Sequence, residues 1–262
     1  FLGALVLSLG LVDIRRRPPG LPLAIAMVPP LLVPWAIVVR QPVVAGWSVE
    51  LLIGAYYLLL TWALREKSPI LLGIGLGLCL LSRYALAPWT LLLALGFGAT
   101  GRLRQLLRAA GVTAAMLLVF YGLPFLARDP GILVRSYLSY GKGFEREWAR
   151  PASDNHLYEG YGLAGWASDH IRGDSARRCH KVQQLHLVTS LVVCALLAPL
   201  LVRAARRAGD PYAPALYALK AALAVFYAFI PVPYPYLWVV PAIVSSQVVA
   251  AFVLSPQDRR PK

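Results

Sequence analysis

Acidic side chains are scarce in this sequence: 12 Asp and Glu stand against 26 Lys and Arg in 262 residues. Charge of either sign is thin, at 15% of the chain, where a soluble globular domain carries roughly 25%. That shortage speaks against a water-soluble domain. Cysteine is nearly absent. Cys79 and Cys194 lie inside apolar runs and read as inert core residues. Cys179 falls in a polar stretch read as a loop, and the three together have neither metal-ligand spacing nor a disulfide framework. Alternating strands of barrel type are missing, while Pro and Gly interrupt most apolar runs, so a membrane architecture here has to be helical. The chain also lacks a P-loop, a dinucleotide glycine fingerprint, HExxH, a serine–histidine–acid order and any repeat of 20–50 residues. Residues 1–12 carry no charged leader region or cleavage site and do not read as a signal peptide.

What is present is apolar length. Hydrophobic residues make up 58% of the chain, in repeated runs of the roughly 17–25 residues that a bilayer core demands of a helix. The expected fold class is all-α: a polytopic transmembrane bundle of about nine spans, the first partial, with one large extracytoplasmic loop region containing interfacial helices. Phe1–Val12 reads as the end of a span, and Leu21–Val39 as a span kinked by Pro29, Pro30 and Pro34. Val49–Leu64 and Pro69–Leu81 form a central hairpin about a charged hinge at Arg65, Glu66 and Lys67. Ala85–Ala99 and Ala109–Ala127 follow, separated by a short basic amphipathic stretch, Gly101–Arg108, suited to a membrane surface. Leu187–Val202, Ala213–Ile230 and about 236–254 complete the spans. The chain thus divides into a bundle over 1–127, a loop region over 128–186 and a second bundle with a polar tail over 187–262.

The net charge of +14 would suggest nucleic acid in a soluble protein. Here nearly all the positive charge sits in loops, where it orients the chain and meets anionic lipid, and no nucleic-acid partner is expected. Counting loops alternately, one side collects fourteen Lys and Arg, while the short loops of the other hold only Arg40 and Arg83. The basic side is cytoplasmic by the positive-inside rule. Glu50, Arg83, the 128–186 region and the 231–238 turn then face the other side. This predicts an integral protein of a plasma, inner or endomembrane with its large loop outside the cytoplasm.

Candidate chemistry concentrates on that outer side. The hairpin brings Glu50 and Arg83 out together. An acid at a span end is wet, paired or functional; it is equally a solvated helix start favoured by the helix dipole. Arg83 is either a snorkelling turn residue or a guanidinium that takes a phosphate by a two-pronged hydrogen bond. The 128–186 region holds about half of the acidic residues, all four histidines and a series of aromatics. Within it, Glu145 and Glu147 are two apart, so a helix points them in different directions. Asp154, Asn155 and His156 precede the aromatic run LYEGYGLAGW, which contains Glu159. Aromatic faces with carboxylates hold sugars, but an interfacial aromatic belt looks the same. The turn PVPYPYLW, with Tyr236, either lines a lipid-facing groove or anchors span ends.

Four segments together resemble the polytopic C-type glycosyltransferase superfamily, whose members use polyprenyl-phosphate-linked sugars: GWSVELL, SPILLGIGLGLCLLSRYALAPWTLLLAL, YGLPFLARDPGILVRSYLSY and FIPVPYPYLWVVPAI. The resemblance implies a mannosyltransferase-like enzyme that moves a sugar from a polyprenyl-phosphate donor, in contact with membrane lipid, to a glycan, lipid or protein acceptor outside the cytoplasm. It also implies a catalytic aspartate in the first outer loop. On this register Phe1–Val12 corresponds to the family's second span, so the catalytic base is expected to precede it. Glu50 then stands as the candidate acid and as a possible ligand of a divalent cation, Mg or Mn. Arg83 would contact phosphate, with His156, Glu159 and Tyr236 binding substrate. The family often has Asp where this chain has Glu50. Two other classes compete: a non-catalytic subunit that binds a membrane protein partner through its outer loop, and a lipid or solute transporter. A transporter would place charge near the bilayer midplane, whereas the charges here cluster at span ends.

Overall fold

The computed structural model describes residues 44–248, apart from positions 152, 155, 159–161, 235–236, 238–239, 242 and 246. The expectations for Phe1–Val12, Leu21–Val39, Glu159, Tyr236 and the C-terminal tail lie outside these residues. Among the described residues the structure is all-helical and contains no strand.

The central hairpin forms from α1 (Val44–Arg65) and α2 (Pro69–Ser82). Its turn is set locally. Ser68 caps α2, accepting from the Leu71 N–H at 3.4 Å, and Pro69 sits in the first turn, where its missing N–H costs nothing. Lys67 takes the left-handed conformation, φ 55°, that reverses the chain. A short 3₁₀ turn, Tyr84–Leu86, then leads into α3 (Ala87–Ala99).

The glycines of α2 explain its central position. A Cβ on Gly73 would lie 2.5 Å from the Ala109 carbonyl oxygen, and one on Gly75 would lie 2.8 Å from Leu60 Cα. These residues are two apart and face opposite sides. One therefore admits α4 (Leu103–Leu117) and the other admits α1, the close approach by which small residues assemble membrane helices. The Thr113 hydroxyl adds a donated bond of 2.9 Å to the Gly73 carbonyl.

The helix α4 continues without a break into a π-helical stretch, Leu118–Leu126. Pro124 lies inside it, and the Ala127 N–H donates to the Gly122 carbonyl, five residues back, at 2.9 Å. Proline has no N–H to give and crowds the preceding turn, so a widened turn is the helix's way past it. From Leu103 on, the basic stretch and the apolar run that follows it are thus one continuous helix.

Beyond a turn at Arg128–Gly131 come α5 (Ile132–Ala149), α6 (Ala164–His170), α7 (Ser175–Ala208) and α8 (Tyr212–Ala228). Asp174 caps α7 by accepting from the Arg177 N–H at 2.7 Å, and Gly209, left-handed at φ 60°, ends it. At 34 residues α7 is about 51 Å long, well over a bilayer core of roughly 30 Å. It runs through the 186/187 boundary expected between loop region and second bundle. The sequence reading is corrected at Cys179, which is buried in α7 and not in a loop. The polar pattern of 175–186 looked like a loop because this part of the helix carries Arg177, Arg178, His180 and Lys181.

Packing joins α3 to α7 and α8, and α8 to α1. Trp89 is fully buried between them and donates its indole N–H to the Ala215 carbonyl at 3.2 Å. A second, smaller apolar cluster forms from Phe144, Trp148, Leu157, Ala164, Cys179 and Val232. It lies outside the main core and fastens α5 and α6 to the chain after α8.

Two helices are long and apolar enough to cross a membrane, Leu103–Leu126 and Ser175–Ala208. Only 17% and 22% of their most apolar windows are buried. Leu118, Phe120, Leu187, Leu191 and Leu196 all stand exposed. A soluble core helix of such composition hides most of its surface; an apolar surface this broad suits lipid. Four shorter apolar helices accompany them, Leu52–Arg65, Pro69–Ser82, Tyr84–Ala99 and Tyr212–Ala228.

Candidate functional site: a groove at one end of the bundle

The bundle has two chemically distinct ends. At one, the turns after α1, α3 and α7 converge. Lys67 Nζ lies 2.7 Å from Asp210 Oδ2, Arg102 lies 3.7 Å from Asp210 Oδ1, and Arg102 also donates to the Gly209 carbonyl at 2.9 Å. Arg65 donates to Gln247 Oε1 at 3.2 Å, which brings the last described helical turns to the same end. Three of the loops assigned by charge to one side do meet there.

At the opposite end lies a groove of about 1210 Å³, larger than the roughly 300–1,000 Å³ of most small-molecule sites. The end of α2 supplies Ser82 and Arg83, and the 3₁₀ turn adds Tyr84. One stripe of α5 supplies the facing wall with Arg135, Ser136, Ser139 and Tyr140, continued by Gly143 and Phe144. That spacing follows helical periodicity, so one face of α5 looks into the groove along its length. The third wall comes from Phe226, Tyr227 and Ile230 at the end of α8, with Val232, Tyr234 and Leu237 beyond it. Ile53 of α1 closes the floor. Hydroxyls and guanidinium groups are interspersed with aliphatic and aromatic surface. Such a lining fits an amphiphile better than a wholly polar solute.

The site residues expected from the sequence separate into groups. Arg83 is half-buried in the groove wall. His156 is not a wall residue, but its ring packs edge-to-face on Tyr234 at 5.1 Å between centroids, and Tyr234 does line the groove. Glu50 lies on α1 one helical turn before Ile53, at the groove end of the hairpin; its side chain is outside the described part. Glu159 and Tyr236 lie outside the described residues, though Tyr234 and Leu237 on either side of Tyr236 line the groove.

The sequence offers Asp129, Arg135 and Glu147 only as polar groups of the 128–186 region, without placing them in a wall, and Ser136 and Ser139 go unremarked. Arg135, Ser136 and Ser139 share one face of α5, and the stripe at 132, 135, 136, 139, 140 and 143 is the sequence signal that marks them as a wall. Asp129 also borders the groove. Its carboxylate is ion-paired with Arg135 and accepts the Gly131 N–H at 3.2 Å. Glu145 and Glu147 stand two apart on α5. The structure separates the two, leaving Glu145 exposed and Glu147 5% exposed. Three donors reach Glu147. The His156 N–H and ring Nδ1 lie 3.0 and 2.8 Å from Oε1, and Arg150 lies 3.0 Å from Oε2.

Beyond this cluster, Trp148 fixes the third wall by donating its indole N–H to the Pro231 carbonyl at 2.9 Å, and the Leu163 N–H donates to Ala228 O at 2.9 Å. Near α6 an exposed aromatic pair, Trp166 on His170, stacks at 4.7 Å, and the Tyr158 hydroxyl donates to Asp169 at 2.5 Å.

The described lining residues offer a divalent cation few ligands. Among the described lining residues Asp129 is the single carboxylate, and Arg135 already pairs with it. Hard cations take several oxygen ligands, and no cluster of three or more His, Cys, Asp or Glu suited to a metal occurs among the described residues.

The chain matches no protein-family model, no curated protein and no solved structure.

Proposed function

We propose that this chain is a polytopic membrane protein of about nine spans whose groove binds a phosphate-bearing polyprenyl lipid, and that it transfers the lipid-borne sugar to an acceptor outside the cytoplasm. The observation that carries the reading is Arg83. It stands at the end of a Gly-packed apolar hairpin and borders a groove in which the hydroxyls of Ser82, Ser136 and Ser139 are set among apolar and aromatic side chains. A guanidinium takes a phosphate oxygen pair with two parallel bonds, while the apolar walls suit the first isoprene units of the chain. The clustering of Lys67 and Arg102 at the far end supports the orientation, with the basic loops cytoplasmic and the groove outside. Glu50, at the groove end of α1, remains the candidate acid of this chain.

A second reading has an observation in its favour. The one described carboxylate bordering the groove is held by Arg135, which suits a subunit that binds lipid or a membrane partner without catalysis. Sugar transfer from a panel of polyprenyl-phosphate donors, measured with the protein reconstituted in vesicles, separates the two. Transfer by the wild type and its loss in Arg83→Ala supports the enzyme. Retained lipid binding with no transfer from any donor selects the subunit.

A further inference from the structure

We propose that the Glu147–His156 pair is the proton-accepting group for the reaction in the groove, a role that rests on the transferase reading above. A carboxylate 5% exposed is costly unless its lone pairs are filled. Those of Glu147 are filled asymmetrically. Arg150 occupies one oxygen at 3.0 Å, and His156 occupies the other twice, through its backbone N–H at 3.0 Å and through Nδ1 at 2.8 Å.

A carboxylate can only accept, so Nδ1 carries the hydrogen, and the lone pair of the imidazole is left on Nε2. Among the described residues Nε2 makes no hydrogen bond. The backbone bond fixes the turn at His156, and the ring bond fixes the imidazole plane, so two of the ring's freedoms are set by one carboxylate. This is the arrangement by which an acid orients a histidine base and steadies the imidazolium that follows. The ring meets Tyr234 edge-to-face at 5.1 Å between centroids, and Tyr234 lines the groove, which places the pair at the groove's rim.

In the proposed step the acceptor hydroxyl gives its proton to Nε2 as its oxygen bonds to the anomeric carbon of the sugar. The bond from that carbon to the lipid phosphate oxygen breaks, and its electron pair leaves with the phosphate, whose charge Arg83 meets. Glu147 stabilises the imidazolium through Nδ1–H, and the proton then passes to water.

The test uses the whole protein in lipid nanodiscs with three readouts: kcat for sugar transfer, affinity for a polyprenyl phosphate, and thermal midpoint. His156→Asn keeps an N–H to donate to Glu147 but has no base. It should lower kcat by about 100-fold or more while lipid affinity and thermal midpoint hold. Glu147→Gln should lower kcat in the same direction by less. Wild-type kcat in His156→Asn overturns the proposal, and so does a joint loss of kcat, lipid affinity and thermal midpoint, which marks a purely structural tie. A wild-type protein that binds the lipid but transfers no sugar overturns the transferase reading itself, and this role with it; that failure is distinguishable because it appears before any substitution.

Discussion

Gly75 of α2 lies so close to Leu60 of α1 that a Cβ there would come within 2.8 Å of the Leu60 Cα. The obstacle is backbone and cannot rotate away. Gly75→Leu is therefore expected to force the two helices of the hairpin apart and to lower stability by about 1–3 kcal/mol. Gly141→Ala is the matched control, since a Cβ there meets nothing within 4 Å. That substitution should raise stability by about 0.5–1 kcal/mol through helix propensity alone. Thermal unfolding in detergent checks both, and their opposite signs separate steric crowding from backbone entropy.

At the far end of the bundle, Asp210 serves two cations and also accepts the Tyr212 N–H at 3.3 Å, where α8 begins. Lys67 is more than half exposed, and among the described residues its ion pair is with Asp210. Asp210→Ala is expected to destabilise more than Lys67→Ala, whose cost should stay within about 1 kcal/mol. Raising the salt concentration should shrink the Lys67→Ala effect, because screening acts most on exposed charge. Melting curves at low and high ionic strength test the ordering.

Gly143 borders the groove, and a Cβ built on it meets open space. Gly143→Trp should then occupy the groove without disturbing the helices around it. The expected outcome is an unchanged melting temperature with loss of polyprenyl phosphate binding. A ligand that still binds with wild-type affinity would place its site elsewhere.

The hairpin was legible in the sequence because local rules specify it. Ser68 followed by Pro69 starts a helix, a charged hinge cannot stay in an apolar run, and glycines at 73, 75 and 77 mark a helix approached from two sides. The convergence of loops at Asp210 was legible as charge asymmetry. Other features depend on tertiary burial. Glu147 and Glu145 have the same composition and nearly the same position, and only the packing of α5 decides which carboxylate is enclosed. His156 lies nine residues beyond Glu147, across an irregular turn with no period to read. The continuity of α7 was hidden because its first turns project polar side chains where an apolar run was sought. Arg135 is visible in the sequence as a polar group but not as part of a wall: it pairs with Asp129 across a turn, and the groove behind it exists only once α8 is in place.

Equilibrium binding of a polyprenyl phosphate and of the corresponding polyprenyl alcohol to wild type and Arg83→Ala in nanodiscs tests the central claim most directly. The groove reading predicts that the wild type prefers the phosphate over the alcohol, and that Arg83→Ala loses about 10- to 100-fold in phosphate affinity, the worth of one charge-assisted contact. Alcohol binding should be unaffected by the substitution. Equal affinity for phosphate and alcohol in the wild type, or an unchanged phosphate affinity in Arg83→Ala, would contradict it.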